Sequence, residues 1–174
     1  MTVQTEGRTG EVVSAPGAAD RAGKYLTFKL GKEEFGIGVM NVREIMGLQD
    51  VTEVPGTPDH LKGVINLRGK IIPVVDLRLK FALAEAPFTQ STCIIVVQVL
   101  QEGETAMIGI IVDGVSEVLN LGLGEIEDAP DFGTGTENPF VLGIAKFKGS
   151  VKILLKIEDI LSLRELRGIQ SLIH

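Results

Sequence analysis

The sequence predicts an all-β fold made of two copies of one small barrel packed against each other. Three observations carry this expectation. Short apolar runs recur along the chain with Gly and Pro between them, the pattern of a barrel or sandwich. A two-part motif occurs twice in the same order. Each copy is small for independent stability, so the copies are expected to share a core and leave a groove between them.

Residues 1–23 are rich in Gly, Ala, Ser and Thr and have little periodic apolarity, and they read as a disordered tail. From Lys24 onward the strand-like runs are Tyr25–Leu30, Glu34–Met40, Val64–Leu67, Ile71–Leu77, Thr92–Leu100, Ala106–Asp113, Val115–Leu119, Val141–Phe147 and Val151–Leu155. Pro58–Lys62 suits one helical turn ended by Gly63. The clearest helix signal is Glu158 to Arg167, where Ile160, Leu161, Leu163 and Leu166 make an apolar face and Gly168 offers a stop. Residues 158–174 are therefore read as a short C-terminal helix and tail.

The repeat is explicit. Gly36-Ile37-x-Val39-x-x-Val42-x-Glu44-Ile45 recurs 73 residues later as Gly109-Ile110-x-Val112-x-x-Val115-x-Glu117-Val118. Gly63-x-x-x-Leu67-Arg68-Gly69-x-Ile71 recurs 80 residues later as Gly143-x-x-x-Phe147-Lys148-Gly149-x-Val151. Each second element is strand, basic-Gly turn, strand, the signature of a hairpin. The copies span about residues 30–80 and 103–156 and are expected to intertwine as a barrel of about five strands, duplicated.

Composition excludes several function classes. The chain has 174 residues, 44% of them apolar, with 17 basic and 23 acidic side chains and net charge −6. A nucleic-acid binder needs a basic face, and none is evident. The acidity is uneven: seven acids and no base lie between Asp113 and Glu137. Such a stretch is expected to be solvated and to repel or select partners. No apolar run approaches the ~20 residues that span a membrane. The N-terminus lacks the apolar centre of a signal peptide. Cys93 is the sole cysteine, in an apolar run that reads as a buried strand, so a small core hydrophobe is its expected role.

Catalytic chemistry is poorly supported. The only histidines are His60 and His174, no nucleophile–base constellation is evident, and no metal-ligand spacing occurs. Asp131-Phe132-Gly133-Thr134-Gly135 fits a nucleotide-contacting D-x-G-x-G box, but the upstream Asn-bearing helix such a site needs is missing. It reads as an ordinary glycine-rich loop with an exposed aromatic. Asn66-Leu67-Arg68-Gly69 reads as a hairpin turn, with Gly69 supplying positive φ. There Arg68 is either simply solvated or a rigidly placed cation offered to a partner. Val42 and Glu44 alternate with Arg43 and Ile45. Their shared face either belongs to a half-buried strand with solvated Glu44 or borders the inter-barrel groove.

At these residues the chain resembles the CheW family of chemotaxis coupling proteins. Gly63 to Arg78, GVINLRGKIIPVVDLR, is close to the family's most characteristic segment. Phe35-Gly-Ile37, Val42-Arg-Glu-Ile45 and Ile111-Val-Asp-Gly-Val-Ser-Glu-Val-Leu119 match its other strands, and the likeness runs over residues 24–161. The resemblance implies two SH3-like five-stranded barrels on a shared core. It implies a non-catalytic, cofactor-free cytoplasmic adaptor at receptor arrays on the inner membrane, without membrane insertion. Its partners would be the cytoplasmic tip of a methyl-accepting chemoreceptor and the regulatory domain of the histidine kinase CheA. Matching positions place Val42, Glu44, Gly63 and Arg68, with the apolar neighbours Ile45 and Val64, on the receptor side. Asp131 and Phe132 would contact the kinase. Two alternatives remain: a coupler for another CheA-type pathway, such as surface motility, and a small-ligand binder using the groove.

Overall fold

In a computed structural model, residues 21–84, 86–101, 103–129, 140–161, 165 and 167–168 are described. The first repeat supplies β1 (Gly23–Leu30), β2 (Glu33–Gly38), β3 (Val42–Gly47), β4 (Leu61–Leu67) and β5 (Lys70–Asp76), followed by the single-turn helix α1 (Leu77–Lys80). The second supplies β6 (Cys93–Gln101), β7 (Glu104–Val112), β8 (Gly114–Leu121), the short β9 (Ile126–Glu127), β10 (Val141–Phe147) and β11 (Ser150–Leu155). The expected all-β class and the two strand systems are what the chain forms.

The repeats exchange strands. One sheet runs β3-β6-β7-β5-β4, so β6 and β7 of the second repeat complete the barrel of the first. The other runs β8-β1-β2-β11-β10-β9, so β1 and β2 of the first repeat complete the barrel of the second. Each exchange is sealed by a parallel seam: Val74 pairs with Gly109, and Leu154 with Gly36. These pairs are mates under the repeat, 36 to 109 and 74 to 154. The seam explains both glycines. A Cβ on Gly36 would stand 3.0 Å from the Leu154 side chain, and one on Gly109 would stand 3.0 Å from Ile94 and 3.4 Å from Val74.

Three apolar clusters follow. The interior of the first barrel holds Ile65, Leu67, Ile72, Val74, Ile94, Val96 and Ile111. The second barrel's interior holds Tyr25, Leu119, Leu121, Ile126, Ala145 and Leu154. The largest cluster lies between the barrels, and it draws on equivalent positions of both repeats: Leu26 with Ile95, Phe28 with Val97, Ile37 with Ile110, Val75 with Leu155. Each fully buried Leu, Ile or Val contributes about 1.5–3 kcal/mol, so this shared core outweighs either barrel interior.

The second barrel differs inside. Where the first has Ile72 and Met107, the second has Lys152 and Glu34, which pair across the β2–β11 seam with the ammonium almost fully buried. A polar hub centres on Asp113. The Asp113 carboxylate accepts from Arg78 Nε at 2.9 Å and from the Gly31 backbone N–H at 2.7 Å, and the Ser91 hydroxyl donates to its carbonyl at 2.7 Å. Asp76 caps α1 by accepting from the Arg78 N–H at 2.9 Å.

Some local expectations change. Pro58–Lys62 does not form a helical turn ended by Gly63: β4 already begins at Leu61, and Gly63 lies inside it beside a bulge. Of the expected C-terminal helix, Ile157–Asp159 is a 3-10 turn and Ile160 and Leu161 enter the shared core. Glu165, Arg167 and Gly168 are helical, so Gly168 is not a stop. Leu163 and Leu166 lie outside the described residues. At the other end the described chain starts at Arg21, whose guanidinium donates to Asp128 Oδ1 at 2.8 Å and to the Leu142 carbonyl at 3.2 Å.

Two predictions follow from this packing. Lys152→Met alone strands the Glu34 carboxylate and should cost about 2–4 kcal/mol in chemical denaturation, whereas Lys152→Ile with Glu34→Met, which copies the first barrel, should be neutral or stabilising. Chains beginning at Arg21 and at Gly23 should differ in Tm by roughly 2–6 °C in favour of the longer, because only that one keeps the buried guanidinium.

Candidate protein-binding groove

The candidate residues sit on three pieces of the first barrel. β3 supplies Val42, Glu44 and Ile45, and it is an edge strand that pairs only with β6. β4, the opposite edge, supplies Gly63 and Val64. Arg68 tips the β4–β5 hairpin.

Alternation along β3 is broken by a bulge at Arg43. Val42 lies opposite Val97 and packs on the shared core, while Glu44 lies opposite Val96, on the barrel-interior side with Met46. The expected common face of Val42 and Glu44 is therefore lost, because the extra residue shifts the two-residue period by one. Ile45 returns to the shared-core side, opposite Ile95, and is 46% exposed.

At the hairpin tip both central residues are left-handed, with φ of 50° at Arg68 and 89° at Gly69, the geometry of a type I′ turn. Lys148 and Gly149 repeat it, at 50° and 80°. A non-glycine residue there costs about 1–2 kcal/mol. Asn66 helps hold the turn by accepting from the Gly69 N–H at 2.8 Å. Fixed in this way, Arg68 reaches Glu44 with two hydrogen bonds, 2.7 and 3.3 Å. The pair joins the two edge strands of the five-stranded sheet and closes the barrel mouth. The Arg68 hydrogen bond, and then its charge, hold the Glu44 carboxyl below its ordinary value, so the pair stays ionised through the neutral range. It opens only as pH falls through that depressed value. Arg68 remains 72% exposed.

Gly63 and Val64 are not brought to this pair. Gly63 is buried at φ 146°, and a Cβ there would lie 2.0 Å from the Thr52 carbonyl. Val64 exchanges backbone hydrogen bonds with Thr52 at 2.8 and 2.9 Å. Asp131 and Phe132 lie outside the described residues.

The residue-by-residue reading missed Val115 and Val118. On β8 they oppose Phe28 and Leu26 of the shared core, as Val42 and Ile45 oppose Val97 and Ile95. Val118 is 55% exposed and Val115 37%. The offset of 73 already paired them with Val42 and Ile45. The 3-10 turn Val39–Asn41 passes over both β1 and β6, so β3 and β8 flank the same margin of the shared core. That margin is an apolar strip with a wall from each repeat.

His60 Nε2 sits 2.9 Å from Glu165 Oε2, a contact that ties the C-terminal segment to the β4 approach. Burial pushes the Cys93 thiol up, away from thiolate reactivity. Among the described residues no group of three or more His, Cys, Asp or Glu side chains could hold a metal, and no helix is long and apolar enough to cross a membrane.

Residues 24–165 match the model of the CheW-like domain. The chain is 41% identical over 143 residues to a chemotaxis protein CheW of Klebsiella aerogenes, covering 82% of this chain and 84% of that one. It is 31% identical over 153 residues to the CheW of Treponema pallidum, covering 88% and 90%. The crystal structure of the scaffolding protein TtCheW from Thermoanaerobacter tengcongensis superposes with a TM-score of 0.72 at 33% identity, covering 83% of this chain and 95% of that one. Strand exchange, shared core and sequence thus agree, and the chain belongs to the family of CheW-like domains.

Proposed function

We propose that this chain is a non-catalytic chemotaxis adaptor that couples chemoreceptors to the histidine kinase CheA. Its action is positional: it holds two proteins in fixed relation and transfers no group. The observation that carries this reading is the apolar margin of the shared core, walled by Val42, Ile45, Val115 and Val118 and flanked by the ion pair of Glu44 and Arg68. An exposed apolar strip with a fixed charge beside it suits a helix laid in a groove. The helix is assigned to the cytoplasmic tip of a methyl-accepting receptor. Apolar burial supplies the affinity, and the charges set register and exclude wrong partners.

The regulatory domain of CheA is assigned to the segment that carries Asp131 and Phe132, in the acidic second half of the chain. Gly63 acts on the receptor side only indirectly, by letting Thr52 and β4 meet. The protein works in the cytoplasm, beside the receptor arrays at the inner membrane.

Titration of purified variants with receptor fragment and with kinase checks the assignment. Arg68→Glu faces Glu44 with a second carboxylate and should weaken receptor binding roughly tenfold with kinase binding kept. Phe132→Ser should do the reverse. Equal loss of both partners in either variant, or unchanged receptor affinity in Arg68→Glu, would remove the two-surface scheme.

A further inference from the structure

Both walls of the groove carry a bulge at equivalent places, and the two bulges are held by different means. In β3 the bulge lies between Val42 and Glu44. In β8 it lies between Val115 and Val118, where Thr27 of β1 alone faces Ser116 and Glu117. Glu44 and Glu117 are mates under the repeat. Glu44 is clamped from outside, by two hydrogen bonds from Arg68 to its side chain. The mate of Arg68 is Lys148, whose ammonium lies over the ring of its neighbour Phe147, 5.3 Å from the centroid. Among the described residues it forms no ion pair with Glu117.

Glu117 is held from inside, through its backbone. Thr27 Oγ1 accepts from the Glu117 N–H at 3.1 Å and donates to the Glu117 carbonyl at 2.9 Å. One hydroxyl thus satisfies both groups that the bulge withdraws from the β1–β8 ladder. Thr27 is fully buried, so water does not replace it. The residue opposite Glu44 is Val96, which has no hydroxyl. The methyl of Thr27 faces the seam: a Cβ on Gly36 would lie 3.7 Å from it. Thr27 therefore joins the seam to the second wall. Loss of its hydroxyl would strand both backbone groups of Glu117. β8 would regain its pairing only by slipping one residue, which would turn one of the two valines away from the groove.

We propose that Thr27 is the positioning residue of the second wall: its hydroxyl fixes the bulge in β8, and the bulge sets Val115 and Val118 for a receptor helix. This rests on the receptor-groove reading given above. Thr27 touches no partner and acts only through β8.

The test removes the hydroxyl and then restores it. Thr27→Val keeps the shape and copies the first barrel, and Thr27→Ser keeps the hydroxyl. The pair Thr27→Ser and Thr27→Ala, which differs by the hydroxyl alone, gives the same comparison if the valine protein does not fold. Circular dichroism checks each fold. A chemoreceptor cytoplasmic fragment and the kinase are titrated against every protein, and amide exchange at Glu117 is followed by NMR. Thr27→Val should exchange the Glu117 N–H at least about tenfold faster and bind the receptor fragment about fivefold more weakly, with kinase affinity kept. Thr27→Ser should stay within about twofold of the unaltered protein in both. Unchanged receptor affinity in Thr27→Val, or in Thr27→Ala against Thr27→Ser, overturns the proposal while leaving the groove. So does a serine protein as weak as the valine one, or an equal loss of the kinase. Failure of the fragment to bind the unaltered protein overturns the groove reading, and this inference with it.

Discussion

The parallel seams between β2 and β11 and between β5 and β7 are the contacts on which the rest of this structure depends. Without them each repeat would present an open edge and half a barrel. With them, the inward faces of β1, β2, β6 and β7 meet in one shared core. At each seam a glycine leaves room that an added methyl would crowd, at 3.0 Å from Leu154 in one and 3.0 Å from Ile94 in the other, so a neighbouring side chain would have to give way. The groove is a product of the same arrangement. β3 and β8 hang at one margin of that core, and the apolar side chains they leave outside are the ones the core has no further strand to cover.

Charged residues divide between two tasks. Arg78 and Asp113 are largely enclosed and tie the β1–β2 turn, α1 and the β7–β8 turn together. Arg68 and Glu44 form a pair of comparable geometry in water, where solvent screens it and its contribution to folding is small. The turn that carries Arg68 is held by Asn66 and by backbone left-handed at Arg68 and Gly69, so the backbone places the side chain's root at the barrel mouth.

Much of this was legible in the sequence because duplication writes the same constraint twice. Gly36 and Gly109, and the paired turns at Arg68-Gly69 and Lys148-Gly149, stood out as matches before any geometry was known. What stayed hidden was whatever depended on which strands pair. The two copies were expected to intertwine, but the repeat did not say which strands each lends to the other, since different exchanges bury the same pattern. The bulge at Arg43 was equally silent: strict alternation placed Val42 and Glu44 together, and one extra residue parts them. Val115 and Val118 were within reach, had the offset been carried from motif to function.

Strand exchange also orders events in time. As the chain leaves the ribosome, β1 and β2 emerge first, yet their places in a barrel are made by β8, β10 and β11, the last of which ends at Leu155. The first barrel can close once β7 is out, but the first two strands must wait for nearly the whole polypeptide. Until β6 and β7 follow, that hairpin carries Leu26, Phe28, Phe35 and Ile37 without their shared-core partners Ile95, Val97, Ile108 and Ile110. A hairpin that waits so long for its flanking strands keeps its edges unpaired, and unpaired edges are where a chain of this kind aggregates.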